Sequence, residues 1–191
     1  MHRPSIYIGI VVLLISRSIV ASQDLEVPVE LQFSLLTKIL SYDRNIHSRS
    51  GNEVVLGIIY QSKYRTSLDV HDDLMKTISE STIREIEGIP LRAVSIDLSI
   101  EPDLESDLRS RGVNLVYIAP LRAVDLNAIK TLCRSKQVVT VASVPEYVEA
   151  GLAIGFGLKG EKPEIMINLP AAKAEGADFN SQLLKLARVL L

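Results

Sequence analysis

Three apolar runs limit what this chain can become. Glu53–Tyr60 reads EVVLGIIY, Val113–Ala119 reads VNLVYIA and Gln137–Ala142 reads QVVTVA. Such runs lack the polar alternation of a sheet with one wet face, so they predict strands covered on both sides, as in a parallel sheet. Segments of helical length lie between them, and parallel neighbours need such crossovers. Leu31–Tyr42 places Leu31, Leu35, Leu36, Ile39 and Leu40 on one dry face. Leu68–Glu87 carries a stripe at Leu74, Ile78, Ile83 and Ile86, stopped by Gly88. Glu101–Arg111 reads as a short acidic helix with Pro102 in its first turn, and Leu121–Ser135 as a helix with Leu126, Ile129, Leu132 and Cys133 on one side. Leu91–Ile100 alternates like a strand with one wetter face, and Ser143–Ala150 reads as a loop.

The end of the chain is organised differently. Leu152–Leu158 and Glu164–Leu169 are separated only by Lys159–Pro163, which predicts an antiparallel hairpin. Pro170 and Gly176 then bracket a short helix, Ala171–Glu175. Asp178 or Asn180 can cap a final helix whose dry face is Phe179, Leu183, Leu186, Ala187 and Leu190. The expected fold is α/β: a single-domain three-layer α/β/α sandwich, with a mixed, mostly parallel sheet and a C-terminal β-hairpin plus helix.

The first residues have another purpose. His2 and Arg3 precede an apolar run, Ile6–Ile15, and Val20-Ala21-Ser22 offers small residues for cleavage. This is the pattern of a secretory signal peptide, residues 1–22, followed by a linker, 23–30, and the domain, 31–191. The run falls short of the ~20 apolar residues that span a bilayer. An uncleaved N-terminal anchor is the alternative, and Arg17 is the residue that favours it.

The formal net charge is −2, becoming −4 once Arg3 and Arg17 are removed, so no general basic surface is present for nucleic acid. Acid gathers in Asp69–Arg111, as expected of solvated helix faces. The lone Cys133 cannot form an intrachain disulfide and reads as a buried small hydrophobe.

Chemistry-bearing motifs are sparse. Gly155-Phe156-Gly157-Leu158-Lys159-Gly160 matches G-x-G-x-x-G, but it leads into another strand and not into the helix that a dinucleotide site requires. His71-Asp72-Asp73 has no ligand partner at metal spacing, and it reads as a solvated helix start. No G-x-S-x-G, H-E-x-x-H, phosphate loop or C-x-x-C occurs. No catalytic, metal or cofactor residue is therefore assigned, and the expectation is a non-enzymatic protein. The densest polar cluster is Ser41-Tyr42-Asp43-Arg44-Asn45. Its plainer reading is a helix end closed by Asn45 and an Asp–Arg pair. Its functional reading makes Tyr42, Asp43 and Arg44, with Asn168, contacts for a partner or ligand.

The C-terminal residues also carry a resemblance. Ile167-Asn168-Leu169, the small pair Ala171-Ala172, Lys173 and Gly176 come first. Ser181-Gln182-Leu183-Leu184-Lys185-Leu186-Ala187-Arg188 comes next. Together these resemble the closing motif of the YfiR/HmsC-like family, and the upstream order of elements fits as well. Met166 stands where the family usually has an acidic residue. The resemblance implies a non-catalytic periplasmic regulator in cyclic-di-GMP signalling. Such a protein restrains the periplasmic part of an inner-membrane diguanylate cyclase, is itself sequestered by an outer-membrane partner, and forms a homodimer. The alternative is a periplasmic small-ligand-binding module resembling one lobe of a solute-binding protein. An exported hydrolase is a third reading.

Overall fold

A computed structural model describes residues 25–100 and 103–191. The predicted signal peptide and the first-turn Pro102 lie outside the described residues. The elements run α1 (Val29–Leu40), α2 (Ile46–Ser50), β1 (Val54–Tyr60), α3 (Arg65–Glu80), β2 (Glu85–Ile86), β3 (Ile89–Asp97), α4 (Leu104–Ser110) and β4 (Leu115–Ile118). They continue with α5 (Leu126–Lys136), β5 (Val139–Ala142), α6 (Pro145–Glu149), β6 (Ile154–Lys159), β7 (Lys162–Asn168), α7 (Leu169–Ala174), α8 (Ser181–Leu186) and β8 (Arg188–Leu190).

The strands form one sheet in the order β2-β3-β1-β4-β5-β6-β7-β8. Pairing is parallel from β3 through β1, β4, β5 and β6, antiparallel between β6 and β7, and antiparallel between β2 and β3. Side chains that alternate along a strand enter two separate cores. Val54, Leu56 and Ile58 of β1 join Leu36 of α1, Leu74 of α3 and Leu183 of α8. Val55 and Ile59 join Leu108 of α4, Cys133 of α5 and Val148 of α6. The sheet is thus covered on both faces, and the three-layer α/β/α class is as expected. Full burial of a Leu or Ile side chain contributes about 1.5–3 kcal/mol.

Capping is set by local sequence. Asp103 and Asp125 accept from Ser106 N and Asn127 N at 3.0 and 2.9 Å, starting α4 and α5. Of the two capping candidates for α8, Asn180 acts, accepting from Gln182 N and Leu183 N.

Several expectations are corrected. The last helix stops at Leu186, because Ala187 is extended (φ −101°, ψ 154°) and the chain runs alongside β7 as the parallel strand β8. An open edge at β7 offers ladder hydrogen bonds that a further helical turn would forgo. Leu183 and Phe179 remain buried, but Leu186 is 71% exposed and does not share their face. The helix read over Leu68–Glu87 ends at Glu80, and the rest folds into the β2–β3 hairpin with Gly88 at its turn (φ +78°). Ser143–Ala150 contains α6, and the polar stretch after Asn45 contains α2. In α1, Leu31 is exposed, and Gln32 and Phe33 face inward with Leu36, Ile39 and Leu40.

The glycines of the G-x-G-x-x-G pattern lie on β6 and its turn. A Cβ at Gly155 would come within 2.2 Å of Val148 Cγ2, so this glycine admits the close approach of α6 to the sheet.

Candidate functional site

The two segments singled out in the sequence meet in space. After α1, Tyr42–Asn45 lies against Gly176–Asn180. Asp43 and Phe179 form an isolated antiparallel bridge, Arg44 N donates to Asp178 O at 2.9 Å, and Asn180 N donates to Tyr42 O at 3.1 Å. At its centre is the Asp43 carboxylate, which accepts from Asn45 N (3.0 Å), Asp178 N (2.9 Å) and Arg49 Nη2 (2.8 Å). Both charged side chains are buried, Arg49 to 6% exposure and Asp43 to 0%. Arg49 Nη1 also donates to Asn114 O at 2.9 Å, tying α2 to the start of β4.

The ion pair read from the sequence thus has different members. Asp43 pairs with Arg49, while Arg44 reaches Asp178 at 3.4 Å on the surface. Tyr42 is half-buried and packs against the core, leaving Arg44 as the outward one of Tyr42, Asp43 and Arg44. Asn168 lies apart from it: its Oδ1 accepts from Ala171 N at 3.1 Å, capping α7, and its Nδ2 donates to Val148 O at 3.2 Å. Ile167, Ala171, Ala172 and Leu183 are buried, Leu169, Leu184 and Ala187 are half-buried, and Gly176 adopts φ +89°. The closing motif therefore contributes mainly packing and backbone geometry.

Sequence reading missed a second polar centre. Glu175 is fully buried, and its carboxylate accepts from Thr140 N at 2.8 Å and from Thr140 Oγ1 at 2.9 Å. Thr140 Oγ1 in turn accepts from Ala153 N at 2.8 Å. Burial pushes the Glu175 carboxyl up to about 7, against the Thr140 hydrogen bonds and the charges of Arg134 and Arg49. Arg49 and Thr140 belong to no sequence motif and Glu175 reads from sequence only as the end of a short helix, because the polar partners of Thr140 and Glu175 come from distant segments. A buried Gln32 was likewise hidden: it accepts from Tyr117 Oη at 2.9 Å and donates to Val27 O and Ser143 O.

His71 is not a solvated helix start. It is in the body of α3, stacked on Tyr60 with ring centroids 3.8 Å apart. Its Nε2 meets Ser95 Oγ at 2.7 Å and its Nδ1 meets Asp72 at 2.8 Å. The order Ser95–His71–Asp72 is that of a hydrolytic triad, but the Asp72 side chain is 64% exposed, whereas the orienting acid of a triad acts from burial. Among the described residues no group of three or more His, Cys, Asp or Glu could hold a metal.

The chain leaves β1 for β3 on one side and returns to β4 on the other, so the topological switch point is at the carboxyl ends of β1 and β4. Gln61 laces that crevice: its Oε1 accepts from Arg122 N at 2.8 Å and its Nε2 donates to Arg122 O at 3.1 Å. The Arg122 guanidinium lies 4.6 Å over the Tyr64 ring. A broad hollow of about 1020 Å³ is instead found at the amino ends of the strands, beside Arg49 and Gly176.

The YfiR/HmsC-like family profile matches residues 30–188, from the second residue of α1 into β8. The chain belongs to the YfiR/HmsC-like family. No curated protein sequence matches it. Solved structures of the same fold, at 12–14% identity, agree with the α/β architecture of this YfiR/HmsC-like domain. One is an ABC domain from Streptococcus pneumonia in complex with L-Trp, with 12% identity, TM-score 0.55, 81% of this chain and 61% of that one. A conserved domain protein from Vibrio cholerae has 14% identity, TM-score 0.53, 85% of this chain and 60% of that one. A ligand-free, open substrate-binding protein with adhesive properties from Clostridium difficile has 14% identity, TM-score 0.54, 76% of this chain and 57% of that one. The chain spans about three-fifths of each of these structures. Among the described residues no helix is long and apolar enough to cross a membrane.

Proposed function

We propose that this YfiR/HmsC-like protein is a non-enzymatic periplasmic regulator. On this reading it acts by protein–protein contact on the periplasmic part of an inner-membrane signalling protein of the diguanylate cyclase class. The observation that carries the reading is the family match over nearly the whole described chain. The surface is compatible with it. β8 forms an edge of the sheet, and Leu186 and Leu191 on either side of it are 71% and 97% exposed. An open strand edge with neighbouring apolar side chains suits strand addition by a partner. A homodimer and an outer-membrane partner that relieves the restraint complete the proposal.

The test is crosslinking in intact cells and then recovery of the protein with its membrane partners. The expected result is an inner-membrane signalling protein that is lost from the crosslinked product when Leu186→Glu and Leu191→Glu are combined. Recovery of a bound small molecule and no membrane protein would favour the ligand-binding module. Sequencing the mature N-terminus tests export: cleavage near Ser22 is expected, and an intact Met1 on a cytoplasmic protein would overturn it.

A further inference from the structure

The hollow at the amino ends of the strands has a composition that the regulatory reading does not use. The last turns of α2, α4, α5 and α7 carry Arg49, Arg109, Lys136 and Lys173, and all four line it. Cations are favoured at helix C-termini, which accounts for each one's place on its own helix. Their convergence on one concavity is a result of the α/β topology, since every one of these helices ends at the same end of the sheet. Among the described residues Asp178 is the only acidic one that lines it, on a chain whose formal net charge is −2. A concave surface lined by one sign of charge focuses its field on ions of the opposite sign.

The cations are unevenly matched. Arg49 is held by Asp43 and Lys136 pairs with Glu105. Arg109 and Lys173 are exposed and have no ion-pair partner among the described residues. Two further polar side chains lie in its wall. Arg49, whose side chain is 94% buried by its 6% exposure, and the buried Ser50 both line the hollow, and Arg49 Nε and Ser50 Oγ have no hydrogen-bond partner among the described residues. Both atoms lie in the wall of this concavity, beneath its surface. Among the described residues no Phe, Tyr or Trp lines the hollow, so none of them offers a ring on which a base or an indole could stack.

We propose that this hollow binds a small non-aromatic polyanion, a molecule with two or more carboxylate or phosphate groups on an aliphatic or inorganic frame. Arg109 and Lys173 supply the free charge, and Arg49 and Ser50 form the floor. The site is at the amino end of the sheet, away from the crevice where open α/β sheets usually take ligands. It does not depend on the regulatory reading.

The test is calorimetric titration of the folded chain with citrate, pyrophosphate and acetate, at low and at moderate ionic strength. Saturable binding of citrate or pyrophosphate is expected, weakening with salt, with acetate giving none. Arg109→Glu combined with Lys173→Glu alters only exposed side chains, so the fold persists. It should weaken binding by about tenfold or more, as reversal of charges near a bound anion does. A preference for citrate assigns the carboxylate class and a preference for pyrophosphate the phosphate class. Amide shifts in the wild-type titration should centre on Gly112 and Gly176. No saturable binding of either polyanion, binding unchanged in the double variant, or shifts centred elsewhere would overturn the proposal.

Discussion

Arg49 Nη2 donates to Asp43 Oδ2 at 2.8 Å with both side chains withdrawn from solvent, and this one pair joins α2, the end of α1 and the C-terminal segment. Asp43 also accepts from the backbone of Asn45 and Asp178, so its carboxylate replaces the water that three donors would otherwise need.

Asp43→Ala should therefore be among the most damaging substitutions in the chain. It leaves the Arg49 guanidinium buried and unpaired, which costs about 3–5 kcal/mol in comparable sites. Urea unfolding should show a lower midpoint with an unchanged slope. Arg44→Ala, at an exposed pair, should change stability by less than about 1 kcal/mol. Equal effects of the two would contradict the assignment of the buried partner.

Gly155→Ala should be destabilising by about 1–3 kcal/mol through overpacking, since its Cβ would fall within 2.2 Å of Val148 Cγ2. Val148→Ala removes that methyl group and should recover part of the loss. The two changes should thus be non-additive in a double-mutant cycle. Additive losses would show that the tight approach of α6 to β6 is not what excludes a side chain.

Much of the fold was legible from sequence, and the reason lies in the strands. Leu56, Ile58, Val116 and Val141 sit in runs apolar at nearly every position, and only a sheet covered on both faces buries such runs. The hairpin was legible from spacing, and the strand at Lys162–Asn168, standing where a nucleotide site needs a helix, unmasked the false glycine loop. The last helix was misread because Leu183 and Leu186 fit one helical face, while the edge of β7, which takes up Arg188–Leu190, is invisible to a local pattern. The helical reading of Ile83 and Ile86 failed for the same reason, with β3 as the competing partner. The polar centres were the least legible. Asp43 was noticed but given its neighbour Arg44, and no polar role was read for Glu175, Thr140 or Gln32, because each has a partner far away in sequence.

Cys133 should be inert in the folded protein. Burial, and then the nearby Glu175 charge, push its thiol up to about 12, so almost no thiolate is present near neutrality. A disulfide reagent should label it only as fast as the protein opens, with full labelling in denaturant. Rapid stoichiometric labelling under native conditions would contradict its placement on the buried face of α5.

The two leucines of the closing motif separate the observed chain end from a continuous final helix. Leu183 is 1% exposed and Leu186 is 71% exposed. Leu183→Ala should cost about 2–5 kcal/mol, and Leu186→Ala should stay within about 0.5 kcal/mol. A continuous amphipathic helix predicts comparable losses at both. Thermal melts of the two variants decide between them.

Glu175 should leave a signature in the pH dependence of stability. Its carboxyl is raised from 4.5 in the unfolded chain to about 7 in the fold, so between those values the native state holds a proton that the unfolded state has released. This group's contribution is therefore fully present below pH about 4.5, declines as pH rises, and is gone above about 7, a span of about 3 kcal/mol. Carboxylates held low by hydrogen bonds act in the opposite sense, as Asp97 does, where bonds from Ser62 and Ser99 outweigh its burial. The raw profile therefore mixes the two, and the informative quantity is the difference between wild type and Glu175→Gln. The amide cannot titrate and retains one acceptor for Thr140. The wild type should lose stability relative to the variant as pH increases from about 4.5 to 7, with a flat difference above that. A pH-independent difference would show that the buried carboxyl keeps an ordinary affinity for its proton, and that the Thr140 hydrogen bonds, with Arg134 and Arg49, offset its burial in full.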